Sequence, residues 1–136
     1  MNLNKLIDVA INTSKNSYSP YSKFKVGASL VTKDDTYFGG CNIENASYGL
    51  TNCAERTCMF TAYASGIKKQ DIEAFCVYSP KEHLVSPCGA CRQVMLELLP
   101  KDCKIYMVYG NKRNVKETTL DELMPFSFTN EDIEND

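Results

Sequence analysis

Three cysteines, with one glutamate close by, have the types and spacing of a metal site. Cys88 and Cys91 lie three residues apart at the predicted start of a helix, so both thiols share one helix face. Cys53 lies at a second predicted helix start, and Glu55 follows two positions later. If the two helix starts face each other, three thiolates can converge on one ion. The partial positive charges of the helix N-termini would offset part of their negative charge.

Three thiolate ligands leave one position of a tetrahedral zinc ion open. Water that binds at such a position becomes acidic enough to react near neutral pH, which is typical of catalytic rather than structural zinc. The sequence therefore predicts a catalytic zinc site with Cys53, Cys88 and Cys91 as ligands.

The sequence alone leaves other uses of these thiols open. Cys88 and Cys91 could be helix-start cysteines without a metal, or a redox pair with a lowered thiol pKa. Against the redox pair, the motif lies in the second half of the chain, tryptophan is absent, and Cys53 and Glu55 would have no purpose. Cys58 could be a fourth ligand of a structural site, but five helical residues turn it about 140° from Cys53.

Structural roles are the alternative for the glutamate and for the other cysteines. Asn52 and Glu55 have the spacing of an N-terminal helix cap. The remaining cysteines are predicted to be small core residues, and they are Cys41, Cys58, Cys76 and Cys103.

The composition limits the class of protein. The chain has 136 residues and a formal charge of −2, from 15 Lys and Arg against 17 Asp and Glu, so it can bury a core as one domain. Without a basic block it lacks the charge of a nucleic-acid binder, and no apolar stretch suits a signal peptide or a membrane span. Seven cysteines, an odd number, favour free thiols. We expect one cytoplasmic domain over residues 1–136 that binds a small ligand, with neither nucleic-acid nor membrane partners.

The periodicity of apolar residues predicts the elements that position these side chains. Apolar residues at three- and four-residue spacing over 3–11 predict an amphipathic opening helix. Alternation over 24–30 predicts a half-buried strand, and a turn leads to an antiparallel partner over 37–42. Residues 52–64 predict a helix that Gly66 closes.

The second half of the chain continues this alternation of strands and helices. An apolar run over 72–78 predicts a central strand buried on both faces. Pro87 opens the next helix and Pro100 stops it. A strand over 105–109 and a weak strand near Val115 follow.

The last residues complete the predicted fold. Thr119 and Glu122 resemble a capping box for a short helix, and residues 131–136 predict a flexible acidic tail. The order of the elements predicts an α/β fold with three layers, in which helices cover both faces of a five-stranded mixed sheet.

Residues 53–55 and 87–91 together resemble the signature of the zinc deaminases. In that signature an initial His or Cys and two further cysteines bind zinc, while an unliganded glutamate transfers protons. The three-cysteine version applies here, and the resemblance covers nearly the whole chain in order. It identifies the chain as a member of the small tetrameric cytidine deaminases. The resembling stretches are 41–46, 53–57, 86–93 and 123–128.

The resemblance implies a role for each residue of the metal site. Cys53, Cys88 and Cys91 would hold one zinc ion per subunit, and Glu55 would be the proton shuttle. Arg56 would donate hydrogen bonds toward the ligand sulfurs and so reduce their excess negative charge. The implied activity is hydrolytic deamination of cytidine and 2′-deoxycytidine to uridine and 2′-deoxyuridine, with release of ammonia, in pyrimidine salvage.

The resemblance also implies the substrate contacts. Asn42 and Glu44 would bind the ribose hydroxyls, and Phe24 would stack on the pyrimidine. Phe128 would cover the nucleoside of a neighbouring subunit, which implies a homotetramer with shared active sites. Phe126 lies where relatives carry a small residue, so either aromatic residue could close the site. The other implied contacts are Ala46, Tyr48 and Ala54.

Two other deaminase activities share the zinc half of this pattern. A deaminase of the antibiotic blasticidin S would differ in the segment that contacts the sugar, where residues 42–45 favour an ordinary ribose. A polynucleotide deaminase that acts on a flipped base would need a basic channel, which the charge balance does not supply.

Overall fold

A computed structural model of the chain describes residues 1–134. None of the helices in this part of the chain is both long and apolar enough to cross a membrane. The first half contains α1 (Leu3–Ser14), β1 (Gly27–Thr32), β2 (Tyr37–Cys41), α2 (Ala54–Ala64) and β3 (Ile72–Ser79). The second half contains α3 (Gly89–Leu98), β4 (Lys104–Tyr109), β5 (Asn114–Thr118), α4 (Leu120–Leu123) and α5 (Glu131–Glu134).

The five strands form one mixed sheet in the order β2-β1-β3-β4-β5. Only β3 and β4 pair in parallel, and the other three neighbouring pairs are antiparallel. Parallel neighbours need a long crossover connection, and α3 lies in the connection between these two strands. The predicted central strand and the predicted antiparallel pair at the start of the sheet are both confirmed.

Helices cover both faces of the sheet and give the three predicted layers. On one face, Leu6 and Ala10 of α1 pack against sheet residues such as Val31. On the other face, Met59 of α2 and Met95 of α3 lie in a larger apolar cluster. The α/β fold with helices on both faces of a five-stranded sheet is therefore confirmed.

Strand β1 differs from the prediction in position and in burial. It begins at Gly27, so Phe24 and Val26 precede the strand instead of opening it. All six of its residues are buried, whereas alternation predicted a half-buried strand. The reason is its position between β2 and β3, with a helical layer on each face, which leaves no side of the strand to solvent.

Both helices of the predicted metal site begin after a cysteine. Cys53 is the N-cap of α2, and Cys88 is the N-cap of α3, which therefore starts at Gly89 and not at Pro87. At the C-terminal side, Thr119 caps α4 by accepting a hydrogen bond from the Glu122 amide, as predicted.

The predicted acidic tail is described only in part. Residues 131–134 form the exposed helical turn α5, and residues 135–136 lie outside the described residues. The flexibility of this tail remains a prediction, as does the assignment of residues 1–136 to a single domain.

Three strand ends meet at one end of the sheet. Because β1 is antiparallel to both neighbours, its first residue, Gly27, pairs with Cys41 at the end of β2 and with Tyr78 near the end of β3. The segments that carry Phe24 and Asn42 therefore lie side by side at this end.

Gly40 of β2 allows α2 to lie directly against the sheet. A Cβ atom on this glycine would lie 2.4 Å from the Cys58 backbone nitrogen and 2.8 Å from the Ala54 carbonyl oxygen. Neither atom can move without moving the helix.

We expect Gly40→Ala to lower the free energy of unfolding by about 3 kcal/mol, measured by urea denaturation. Gly49→Ala is the control, since no atom lies within 4 Å of its added Cβ; equal losses in the two variants would contradict the prediction.

Candidate metal and active site

The three predicted ligand thiols converge in the structure. The sulfur atoms of Cys53, Cys88 and Cys91 all lie within 4.8 Å of one another, and the first two are 3.9 Å apart. Tetrahedral zinc with Zn–S bonds of about 2.3 Å places its sulfurs about 3.8 Å apart, so this donor set fits the ion. Cys58 lies outside the cluster, fully buried, with its thiol directed to the Phe38 carbonyl. The alternative of a four-cysteine site is therefore wrong.

Hydrogen bonds favour negative charge on the cluster. The pKa of Cys53 is lowered to about 5, first by a hydrogen bond from the Cys91 thiol and further by Arg56. The same bond raises the pKa of Cys91. One Arg56 Nη donates to the Cys53 sulfur at 3.3 Å, and this contact raises the pKa of Arg56. The structure thus places a permanent cation against the thiol cluster.

Glu55 is a buried carboxyl group beside the thiols. It lies in the first turn of α2, and only 5% of it is exposed. Burial raises the pKa of Glu55 to about 7, and the nearby Cys53 charge acts in the same direction. Asn52 does not cap the helix, because Cys53 is the N-cap residue of α2; the Asn52 side-chain nitrogen donates to the Thr57 hydroxyl at 3.0 Å. A carboxyl group with a pKa near 7 is suited both to accept and to donate a proton.

Two neighbouring cavities lie beside the thiols and the segments of Phe24 and Glu44. The first, of about 220 Å³, is lined by Cys53, Ala54, Glu55 and Cys88 on one side, and by Phe24 and Asn42 on another. The second, of about 340 Å³, is lined by Glu44 and Tyr48. Thr51 borders both cavities. The structure therefore places Phe24, Asn42 and Ala54 in the cavity that the thiols border, and Glu44 and Tyr48 in the neighbouring one.

Asn42 is held by hydrogen bonds on both sides of its amide. The side-chain oxygen accepts from the Ser17 hydroxyl at 2.5 Å and from the Val26 amide at 3.0 Å. The side-chain nitrogen donates to the Phe24 carbonyl at 2.7 Å. An amide nitrogen carries two hydrogens, so one N–H remains available for a ligand. These bonds fix the orientation of the group.

Hydrogen bonds fix the Glu44 carboxylate but do not use all of its acceptor positions. It accepts hydrogen bonds from the backbone amides of Tyr21 and Ser22, at 3.0 and 3.1 Å, and from the Ser22 hydroxyl. The Ser22 hydroxyl bond is the main cause of the lowered pKa of Glu44. A carboxylate offers about four lone pairs and three of them are used here, so about one acceptor position remains for a hydroxyl of a sugar.

The other predicted contacts are more exposed. Ala46 is exposed and lines neither cavity, whereas the Tyr48 ring packs edge-on against the Tyr21 ring. Phe126 is fully exposed at a positive φ of 54°, and Phe128 is 59% exposed. Neither aromatic residue lines either of the two cavities.

No local sequence pattern indicated the residues that hold Asn42 and Glu44 in place. Ser17 lies 25 residues before Asn42, and Ser22 lies 22 residues before Glu44. A serine at such a separation carries no local pattern. The predicted pairing of residues 24–30 with residues 37–42 could have shown only that the segments of Phe24 and Asn42 run side by side.

The comparisons with known proteins agree with this geometry. The sequence pattern of the cytidine and deoxycytidylate deaminase zinc-binding region matches residues 1–107. The cytidine deaminase of Halalkalibacterium halodurans is 50% identical over 134 residues, which are 98% of each chain. That of Sporosarcina psychrophila is 43% identical over 98% of this chain and 96% of its own.

A solved structure gives the same result. The cytidine deaminase from Burkholderia pseudomallei is 44% identical and superposes with a TM-score of 0.89, covering 94% of this chain and all of that chain. The zinc-binding region of this family corresponds to the part of the chain that carries the three converging thiols. The chain therefore belongs to the cytidine and deoxycytidylate deaminase zinc-binding family.

Proposed function

We propose that this protein deaminates cytidine and 2′-deoxycytidine hydrolytically to uridine and 2′-deoxyuridine, with release of ammonia, as a step of pyrimidine salvage. The observation that carries the proposal is a buried, unliganded carboxyl group, Glu55, beside three converging thiols at the wall of a cavity. The names of the relatives, which are cytidine deaminases, support the same reaction.

Glu55 performs the proton transfers in this proposal. A zinc ion held by Cys53, Cys88 and Cys91 would supply a Lewis acid that makes water a stronger acid. Glu55 accepts a proton from the attacking water and gives one to ring N3, which makes C4 of the pyrimidine more electrophilic. It then takes the remaining proton from the hydroxyl added at C4 and transfers it to the departing amine as the C4–N bond breaks. Its raised pKa suits both directions of transfer.

The other cavity residues orient the nucleoside. Asn42 and Glu44 bind the ribose hydroxyls through the free amide hydrogen and the free carboxylate acceptor position described above. Phe24 packs on the pyrimidine, and the Lys81 ammonium lies 5.3 Å from the centre of the Phe24 ring. The remaining contacts of the proposal are Ala46, Tyr48 and Ala54.

A homotetramer with shared active sites is part of the proposal. Phe126 and Phe128 are exposed and line neither of the two cavities, so either could close the site of a neighbouring subunit. The test is light scattering of the wild type and of Phe126→Ala and Phe128→Ala, with the KM for cytidine measured on each.

We also propose that the enzyme acts in the cytoplasm, where its seven unpaired cysteines would stay reduced.

The activity can be tested with purified protein. Conversion of cytidine to uridine changes the ultraviolet absorbance, so the rate can be followed directly, and zinc can be measured by atomic spectroscopy on the same sample. Deoxycytidine, blasticidin S and a cytosine-containing oligonucleotide would be assayed in parallel. We expect turnover of both nucleosides and one zinc per chain. Zinc-loaded protein without nucleoside turnover would overturn the proposal.

Replacement of Glu44 tests the sugar contact. We expect Glu44→Gln to raise the KM for cytidine by about tenfold, because it loses charge-assisted hydrogen bonds worth roughly 1.5 kcal/mol, while kcat changes less. Steady-state kinetics would measure both constants. Glu73→Gln is the control, since Glu73 is exposed on β3 and lines neither cavity. An unchanged KM in Glu44→Gln would exclude the contact.

A further inference from the structure

One arginine holds the segment that leads into the most exposed of the three thiols. Cys88 is exposed, whereas Cys91 is buried and Cys53 is intermediate. The chain before Cys88 is irregular over residues 80–88. Cys88 itself caps α3, but the position of the segment before it depends on the contacts of that segment, and not on a strand or a helix.

Arg92 makes those contacts. Its Nε donates to the Pro87 carbonyl at 2.7 Å, and one Nη donates to the Ser86 hydroxyl at 2.7 Å. In the described part of the chain, these are the only hydrogen bonds to residues 83–87. Pro87 is buried and directly precedes Cys88. Without Arg92, no hydrogen bond would hold the approach to this thiol.

The same guanidinium reaches the C-terminal segment. Its other Nη donates to the Leu123 carbonyl at 2.6 Å, at the end of α4. The neighbouring residue, Gln93, donates to the Phe128 carbonyl at 2.9 Å. Two consecutive side chains of α3 thus hold the two ends of residues 123–128, which carry both exposed aromatic residues.

The geometry requires an arginine and not merely a positive charge. The three acceptors of Arg92 are neutral oxygens on three different residues, and within residues 1–134 the guanidinium forms no ion pair. A planar guanidinium can donate in several directions at once, whereas a lysine ammonium on its flexible chain cannot match this arrangement. Arg92 therefore acts here as a hydrogen-bond centre.

We propose that Arg92 is a positioning residue that fixes Cys88 for zinc and, through Leu123, places the C-terminal aromatic segment. The proposal rests on the proposed zinc site. It joins retention of the metal and closure of the nucleoside site in a single side chain, which touches neither zinc nor substrate. The two effects can be separated, because Gln93 holds only the aromatic segment and Ser86 accepts only one of the three bonds.

The test measures zinc release from the purified zinc-loaded protein to an excess of a chromogenic chelator, and kcat and KM for cytidine on the same samples. We expect Arg92→Lys to release zinc at least about tenfold faster than the wild type and to raise KM. We expect Gln93→Ala to raise KM while it releases zinc at the wild-type rate. If Arg92→Lys does not fold, Ser86→Ala decides, with an expected acceleration of about threefold.

A control separates positioning from general loss of stability. Thr119→Ala removes the cap of α4, next to Leu123, without touching Arg92, so it should lower the unfolding midpoint but release zinc at the wild-type rate. Arg92→Lys with a wild-type release rate, or Thr119→Ala with an equally fast release, would overturn the proposal. Zinc-loaded wild type that lacks deaminase activity would overturn the proposed function alone, because zinc release is measured without turnover.

Discussion

The Glu55→Gln variant is expected to retain its zinc and to lose turnover of cytidine by roughly 10⁴-fold. Glutamine has nearly the shape of glutamate, so the packing of this buried position is preserved. Its amide cannot accept a proton from water and return it to the substrate. Binding of the nucleoside should change far less than kcat, because the loss falls on the proton transfers.

This result requires the metal and the kinetics to be measured on the same preparation. Zinc content by atomic spectroscopy, the unfolding midpoint, and single-turnover rates would separate lost chemistry from lost metal or lost folding. Glu97→Gln, an exposed carboxyl group on α3, is the control and should keep full activity. Substantial turnover by metal-replete Glu55→Gln would exclude Glu55 as the proton shuttle.

The second large effect is expected at the thiols. Cys53→Ala should lose both its zinc and its activity, because two thiols alone cannot complete the donor set. Removing a ligand also leaves Arg56 without the sulfur to which it now donates at 3.3 Å. We therefore expect no recovery of activity when zinc is added back in slight excess.

Cys58→Ala is the matched control, since Cys53 caps α2 and Cys58 lies within the same helix, but only Cys53 reaches the cluster. It removes one sulfur from the core, so we expect a modest fall in the unfolding midpoint with one zinc per chain retained. Metal analysis and thermal unfolding of the two variants would be compared. Zinc retained by Cys53→Ala, or lost from Cys58→Ala, would contradict the ligand set.

Local patterns predicted the elements of this fold well. The apolar run of β3 identified the central strand, and Thr119 identified the beginning of α4. The two helix starts that carry Cys53 and Cys88 could be placed within about two residues, because turn and capping residues mark them. Since thiols are rare and chemically distinctive, the metal cluster could also be predicted from their spacing.

Tertiary contacts decided what the sequence could not show. The burial of β1 on both faces depends on its neighbours in the sheet, and alternation alone predicted an exposed face. The Asn52 amide donates to Thr57 instead of capping α2, because Cys53 takes the N-cap position. The bonds from Ser17 to Asn42 and from Arg92 to Leu123 join distant residues without any repeated spacing.

The main-chain contact between Gly40 and Cys58 limits how this site can vary. Where side chains separate two elements, an exchange of one residue for a longer or shorter one adjusts the gap; here backbone faces backbone, and no such adjustment exists. Single substitutions at this contact therefore cannot change, in small steps, the distance of Cys53 and Glu55 from the sheet. Changes in substrate preference should arise instead in the loops around Phe24 and Glu44, whose side chains line the two cavities.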